Sequence, residues 1–377
     1  MLDNEESPMS TISWTEADTV RTAPWHSESA TPMPTRITVA DDRMTAATAY
    51  RLACEGTGLL WRGDYHNGRQ LLQAMSRRVD RKGPGPGGSP AESFRLQRRA
   101  RNHRARVLGK LLVQLEDDHT LALRRAPDVR AACDQAYGTP REPMLIAMTE
   151  LLGVLGAAQW RAKGVPVPAL DAVIHPHYGV FSPVRGEYVD LVARAPIVKA
   201  DNAFDLGTGT GVLAAVLARR GVGRVVGTDD SPRALTCARE NVERLGLSGT
   251  IDIVGPALFP DGRADLIVCN PPWLPARPTS ALEHGVYDED SGMLRAFLSG
   301  LSEHLEVGGE GWLVLSDLAE RLGLRTRADL LALIDAAGLR VVDKIDTAPR
   351  HPRAQDRTDP LHAARAAEVT SLWRLVV

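Results

Sequence analysis

From residue 202 onward the chain alternates short apolar runs with longer amphipathic ones. "NAFDL" is followed by "GVLAAVLARRG", "RVVGTD" by "PRALTCARENVERLG", and "TIDIVG" by a loop and "ADLIVCN". Then come "SGMLRAFLSGLSEHL", "GWLVLS", "RADLLALIDAAG", "RVVDKID" and "VTSLWRLVV". Strands that read as near-continuous apolar segments belong to a mainly parallel sheet buried on both faces by helices. The pattern predicts seven strands in an α/β, doubly wound, Rossmann-like sheet. The last two, joined through 348–367 without a clear helix, predict an antiparallel C-terminal hairpin.

The first half of the chain has a different rhythm. Residues 1–40 are rich in Ser, Thr, Pro and acids and show no sustained period, so they are expected to form a disordered tail. From Ala46 to Arg78, from Ser93 to Gln114 and across 142–164, Leu, Ala and Met recur at three and four residues, which predicts helices. "GPGPGG" at 83–88 is a flexible break between two of them. The expected organisation is a tail at 1–40, a helical, locally basic domain at 41–170, and the α/β domain at 171–377.

Composition narrows the possibilities only a little. The apolar fraction of 44% over 377 residues is that of an ordinary globular protein, and the formal charge of -2 carries no overall basic signature. The local exception is 77–106, with ten Lys/Arg against Asp80 and Glu92. It reads either as a solvated helix face or as a surface for phosphates or an acidic partner. Cys54, Cys133, Cys237 and Cys269 form no CxxC or Cys/His cluster, which argues against a metal site and a disulfide framework and fits a cytoplasmic setting. His175 and His177 lack a third ligand and read as packing residues. No apolar run reaches the roughly 18 residues of a membrane span, and "MLDNEESPMS" is acidic where a signal peptide is basic.

Two stretches carry chemistry. "DLGTGTG", Asp205 to Gly211, lies between a predicted strand and helix, where Gly207, Gly209 and Gly211 with Thr208 let the backbone turn tightly against a ligand. Asp229 in "GTDDSPRAL" follows about 20 residues later, at the end of the next strand, where a carboxylate accepts both ribose hydroxyls. Asp230 reads either as a second cofactor acid or as a helix N-terminal charge. This geometry suits NAD and S-adenosylmethionine alike, but Asp205 would repel a pyrophosphate and attract a sulfonium or ammonium group. The second stretch is "VCNPPWLP", 268–275. It places Asn270, Pro271, Pro272 and Trp273 where the fourth strand leaves the sheet, and two prolines stiffen the chain there.

In this order, the glycine loop, the ribose acid and the NPPW tetrapeptide resemble those of class I S-adenosylmethionine-dependent methyltransferases, over residues 202–377. The resemblance implies a seven-stranded sheet ending in a reversed hairpin, with S-adenosyl-L-methionine as cofactor and contacts from Asp205, Gly207, Thr208, Gly209, Gly211, Asp229, Asp230 and Asn270. At the end of the third strand, where many relatives carry an acid near the adenine, this chain has Pro256 and Ala257. Backbone groups or Leu258 and Phe259 are expected there instead. In relatives with an Asp/Asn-Pro-Pro-aromatic motif, the Asn oxygen and the first Pro carbonyl accept hydrogen bonds from an NH2 group, and the aromatic ring stacks on the planar group that carries it. Two acceptors that fix both N–H bonds turn a conjugated lone pair toward the methyl carbon.

"NPPWLP" and "GVFSPVRGEYVDLV", 179–192, are similar to segments of release-factor glutamine methyltransferases, with Trp in place of the usual Tyr. The same signals resemble small-domain enzymes acting on rRNA guanine and adenine-specific methyltransferases. The expected activity is therefore N-methylation of a planar nitrogen. The order of preference is a protein glutamine amide, then an rRNA or DNA base bound through 77–106, then a small molecule; a non-catalytic S-adenosylmethionine-binding adaptor is the reading from another class. Arg185 and Glu187 read either as a cover for the cleft or as a capping pair, and "EHGVYDED", 283–290, as a lid loop or a solvated acidic loop.

Overall fold

All seven strands read from the apolar runs form, and they pair in a single sheet. The computed structural model describes residues 10–377 apart from 30, 82, 86, 141, 198, 199 and 351. The strands are β1 (Asn202–Leu206), β2 (Arg224–Thr228), β3 (Ile251–Val254), β4 (Ala264–Cys269), β5 (Leu305–Ser316), β6 (Arg340–Thr347) and β7 (Thr370–Val376). Their order is β3-β2-β1-β4-β5-β7-β6. β1 to β5 run parallel, and β7 is antiparallel to both of its neighbours. β5 starts at Leu305 rather than Gly311, because its first residues, "LEVGGE", are largely exposed and carry no apolar signal.

Successive residues of each strand face opposite sides, so both sides need cover. Ala203, Val225, Val268 and Val314 pack under α1 (Glu187–Arg194), α2 (Val212–Arg219) and α3 (Pro232–Arg244), through Val189, Leu213 and Val242 among others. Phe204, Ile267, Cys269 and Leu313 pack under α4 (Gly292–His304) and α5 (Arg327–Ala336), through Phe297, Leu301, Leu330 and Ile334. Local signals fix the helix starts. Ser231 accepts a hydrogen bond from Ala234 N with proline at the first helical turn of α3, and Thr326 with Asp329 closes a reciprocal capping box on α5.

The chain divides into two compact units, Met1–Gly85 with Arg95–Gln159, and Pro86–Phe94 with Trp160–Val377. The seven-stranded sheet belongs to the second. The first corrects two expectations. Residues 11–40 are not a tail: Thr11–Glu16 and Thr19–Pro24 form an antiparallel hairpin, and Arg36–Ala40 is a sheet strand. Their Ser/Thr-rich composition conceals a period of two that buries Ile12 and Trp14 on one face. Residues 1–9 of that stretch lie outside the described residues.

Nor is this unit purely helical. Strands Arg36–Ala40, Thr57–Trp61 and Leu111–Leu115 run parallel, and Met144–Ala147 adds an antiparallel edge. Thr57–Trp61 separates helices Ala46–Cys54 and Tyr65–Asp80, and Leu111–Leu115 follows helix Pro90–Leu108. Met144–Ala147 runs directly into helix Met148–Lys163. Apolar runs of four or five residues flanked by helical spacing merge into that spacing, and only length and β-branching separate them. The boundary between units falls at Gln159 rather than at residue 170, and 86–94, which includes part of the predicted break, joins the second unit.

Leu313 is fully buried at the centre of β5. Leu313→Ala is expected to cost about 2–5 kcal/mol of stability, read as a lower denaturation midpoint in chemical unfolding of the full chain.

Candidate active site

Register decides which loops meet. Leu206, the last residue of β1, lies opposite Thr228 of β2 and Cys269 of β4, and Thr228 lies opposite Val254 of β3. The chain therefore leaves the sheet side by side at Gly207, Asp229, Gly255 and Asn270, on the edge where the strand order reverses. Strand pairing therefore brings the glycine loop, Asp229 and the NPPW tetrapeptide to one edge of the sheet.

Gly207, Gly209 and Gly211 hold φ of +69°, +55° and +80°, the left-handed region that favours glycine. A Cβ on Gly207 would come within 2.5 Å of Met293 Cε, so a side chain there would have to displace Met293 as well as adopt a left-handed backbone. Asp205 ties the turn from below. Its Oδ2 accepts hydrogen bonds from Thr208 Oγ1 at 2.6 Å and from Ala214 N at 2.9 Å, and the residue is almost wholly buried. The loop-bracing reading of Asp205 thus coexists with the ligand-binding one. Burial pushes its carboxyl up to about 6, against the lowering effect of those two hydrogen bonds, with the Asp229 charge adding to the rise.

Asp229 is oriented by Gly209 N on Oδ2 at 3.0 Å and by Ser231 N on Oδ1 at 2.9 Å. Burial raises its pKa too, and neighbouring Asp230, which is exposed, adds to the rise. Among the described residues no cation pairs with either of these two carboxylates, which are held above their ordinary range beside a glycine turn, an arrangement suited to a positively charged ligand. Phe259 packs against α4. Its ring stacks on His304 of α4 at 4.3 Å, while Leu258 contributes its carbonyl to the Thr228 hydroxyl.

At the end of β4, Pro271 is buried and Asn270, Pro272 and Trp273 are half-buried. Trp273 Nε1 donates to Asn270 Oδ1 at 2.9 Å. The Arg185 guanidinium lies over the Trp273 ring, 5.6 Å from its centroid, and donates to the fully buried Glu368 at 3.2 Å. Of the pair considered from sequence, Arg185 therefore covers the acceptor loop, whereas Glu187 accepts from the Arg350 backbone. Segment 281–291 flanks the same loop: Leu274 N donates to Val286 O and Asp288 N to Leu274 O, and Phe181 packs against Gly285.

Some contributors were not read from sequence. Asn241 of α3 is buried and accepts from His175 N at 2.8 Å while donating to Thr210 O at 3.1 Å, which pins the glycine loop from behind. A polar residue among Cys237, Ala238 and Val242 on the buried face of α3 was the available signal. His177 pairs with Glu240 at 3.0 Å and His175 with Arg161 O, as packing residues. Glu368 had no local signal. Among the described residues, no group of His, Cys, Asp or Glu is arranged to hold a metal, and no helix is long and apolar enough to cross a membrane.

This sheet order, with a glycine turn and ribose acid at the switch point, defines the class I fold of S-adenosylmethionine-dependent methyltransferases. Residues 172–321 match the family described as Methyltransferase small domain. A release factor glutamine methyltransferase from Xylella fastidiosa is 32% identical over 239 residues, 55% of this chain and 81% of that protein. One from Geobacter sulfurreducens is 34% identical, over 42% of this chain and 58% of that protein. Ribosomal RNA small subunit methyltransferase C from Alcanivorax borkumensis is 34% identical, over 38% of this chain and 42% of that one. The chain belongs to the methyltransferase family that includes the release factor glutamine methyltransferases, whose cofactor is S-adenosylmethionine. It spans 58% or less of the length of several of these curated relatives.

The raised Asp205 carboxyl has a pH consequence. The unfolded chain releases this proton near pH 4 and the folded one near pH 6, so the ligand-free protein should lose stability as pH rises across that window. A cation favours the ionised form, so S-adenosylmethionine affinity should rise over the same window. Calorimetric titration from pH 5 to 8 checks this; Asp205→Asn should flatten the profile and weaken binding about tenfold or more at pH 8. Asp229→Ala should weaken binding at every pH, and unchanged affinity would remove the ribose assignment.

Proposed function

We propose that the protein moves a methyl group from S-adenosylmethionine to the nitrogen of a planar amide, a glutamine side chain in a protein substrate. The observation that carries this reading is the position of Asn270 and Pro271. Their side-chain and main-chain oxygens leave β4 directly beside the glycine turn that follows Asp205. When bound, the cofactor supplies a methyl carbon on a cationic sulfur, with the sulfur retaining the electron pair as the bond breaks.

The chain's own residues do the rest. Asp205 balances the positive charge and Asp229 takes the ribose hydroxyls. Asn270 Oδ1 and the Pro271 carbonyl accept the two N–H bonds of the acceptor, which aims the nitrogen lone pair along the line of attack. The nitrogen sheds a proton after the new bond forms, so no ionised base is required at the outset. Trp273 forms the wall. One of its faces carries Arg185, which leaves the other for the planar group of the acceptor. The glutamine-modifying relatives support the same choice, and four free cysteines fit a reducing, cytoplasmic setting.

A second reading, methylation of an amino group on an rRNA or DNA base, is favoured by a different feature. Arg95, Arg99, Arg101, Arg104 and Arg106 are exposed on helix Pro90–Leu108, a surface suited to phosphates. Transfer of labelled methyl into a bacterial lysate separates the two. Label released by protease and traced to glutamine is expected, and label released by nuclease would replace the first reading with the second. Asn270→Ala should keep cofactor affinity and lower kcat by about a hundredfold.

A further inference from the structure

A side-chain amide has two nearly isosteric orientations that exchange its oxygen and its NH2 group. For Asn270 the difference decides function, because only the oxygen can accept an N–H from an acceptor amide; the flipped group would set donor against donor. An orientation-fixing contact is therefore required, and it must distinguish oxygen from nitrogen.

Trp273 Nε1 meets that requirement. An indole N–H donates and never accepts, so the 2.9 Å contact to Asn270 is compatible with Oδ1 and not with Nδ2. A phenol at this position could satisfy either orientation, since its hydroxyl both donates and accepts. A carbonyl oxygen has two lone pairs, so Oδ1 keeps one for the acceptor while Trp273 holds the other. The indole is held in turn. Arg185 lies across its ring and is moored to Glu368, which is fully buried and also accepts from Ser316 Oγ at 2.7 Å at the end of β5. A guanidinium stacks flat on an aromatic face where an ammonium does not.

We propose that Trp273 is the orienting residue of Asn270, and that Arg185, anchored on Glu368, holds Trp273 in the rotamer that does so. The chain Glu368–Arg185–Trp273–Asn270 then sets the acceptor oxygen before any substrate arrives. This rests on the reading of Asn270 as an acceptor clamp.

The test is Trp273→Phe, which removes the indole N–H and keeps a smaller aromatic wall; the lost ring area acts in any background, whereas the lost N–H matters only where Asn270 has an orientation to fix. With the native acceptor, kcat should fall about tenfold, with cofactor affinity unchanged and KM changed far less than kcat. The decisive comparison uses the Asn270→Asp background, because a carboxylate presents an oxygen in both orientations and has nothing to be fixed. There Trp273→Phe should lower kcat at least about threefold less than it does in the Asn270 enzyme. An equal loss in both backgrounds would show that Trp273 acts only as a wall and would overturn the proposal. So would wild-type kcat in Trp273→Phe alone while Asn270→Ala is inactive. Full activity of Asn270→Ala would instead sink the clamp reading itself. Arg185→Lys retains a cation for Glu368 but loses the planar stack, and should lower kcat in the Asn270 enzyme and not in the Asn270→Asp background; loss in both would remove Arg185 from the chain.

Discussion

The cleft depends on one buried carboxylate. Asp205 is the last but one residue of a strand that is otherwise largely apolar, and it holds the first turn of α2 and the Thr208 hydroxyl on a single oxygen. Placing an acid there is costly, as its raised pKa records. The compensation is a glycine turn with a fixed shape and a cleft that favours positive charge. Asp229 reaches the same turn from the end of the next strand through Gly209 N, so the two acids are fixed against a common stretch of backbone.

The acceptor side is built on a different principle. The glycine turn is held by hydrogen bonds to backbone, whereas NPPW is held by contacts between side chains from distant parts of the sequence: Arg185 before α1, Trp273 after β4, Ser316 at the end of β5 and Glu368 before β7. The cofactor half is consequently local and the acceptor half is not. This division sets how far each half depends on distant parts of the chain.

It also explains what could be read from the sequence. The strands of the large sheet were legible because burial on both faces leaves an uninterrupted apolar signal, and the site was legible where glycine, acid and proline carry backbone meaning. The small sheet was not: Thr57–Trp61 and Met144–Ala147 sit inside helical spacing, and the hairpin at Thr11–Pro24 hides its alternation among Ser and Thr. Phe259 was placed by analogy of position, and no local pattern encodes its ring contact with His304. Arg185 stood undecided between two roles for the same reason, since its partner Glu368 lies 183 residues away.

The position of β7 carries a consequence in time. It follows β6 in the chain but lies between β5 and β6 in the sheet. During synthesis, β5 and the β6 segment are both available before the strand that joins them exists. Until Thr370–Val376 is delivered, β5 presents an unpaired apolar edge, and any direct pairing of β6 with β5 has to be undone. Completion of the sheet is thus a late, long-range insertion. Glu368, two residues before that strand, reaches Arg185 only when the insertion has occurred, so the acceptor side of the cleft is assembled last.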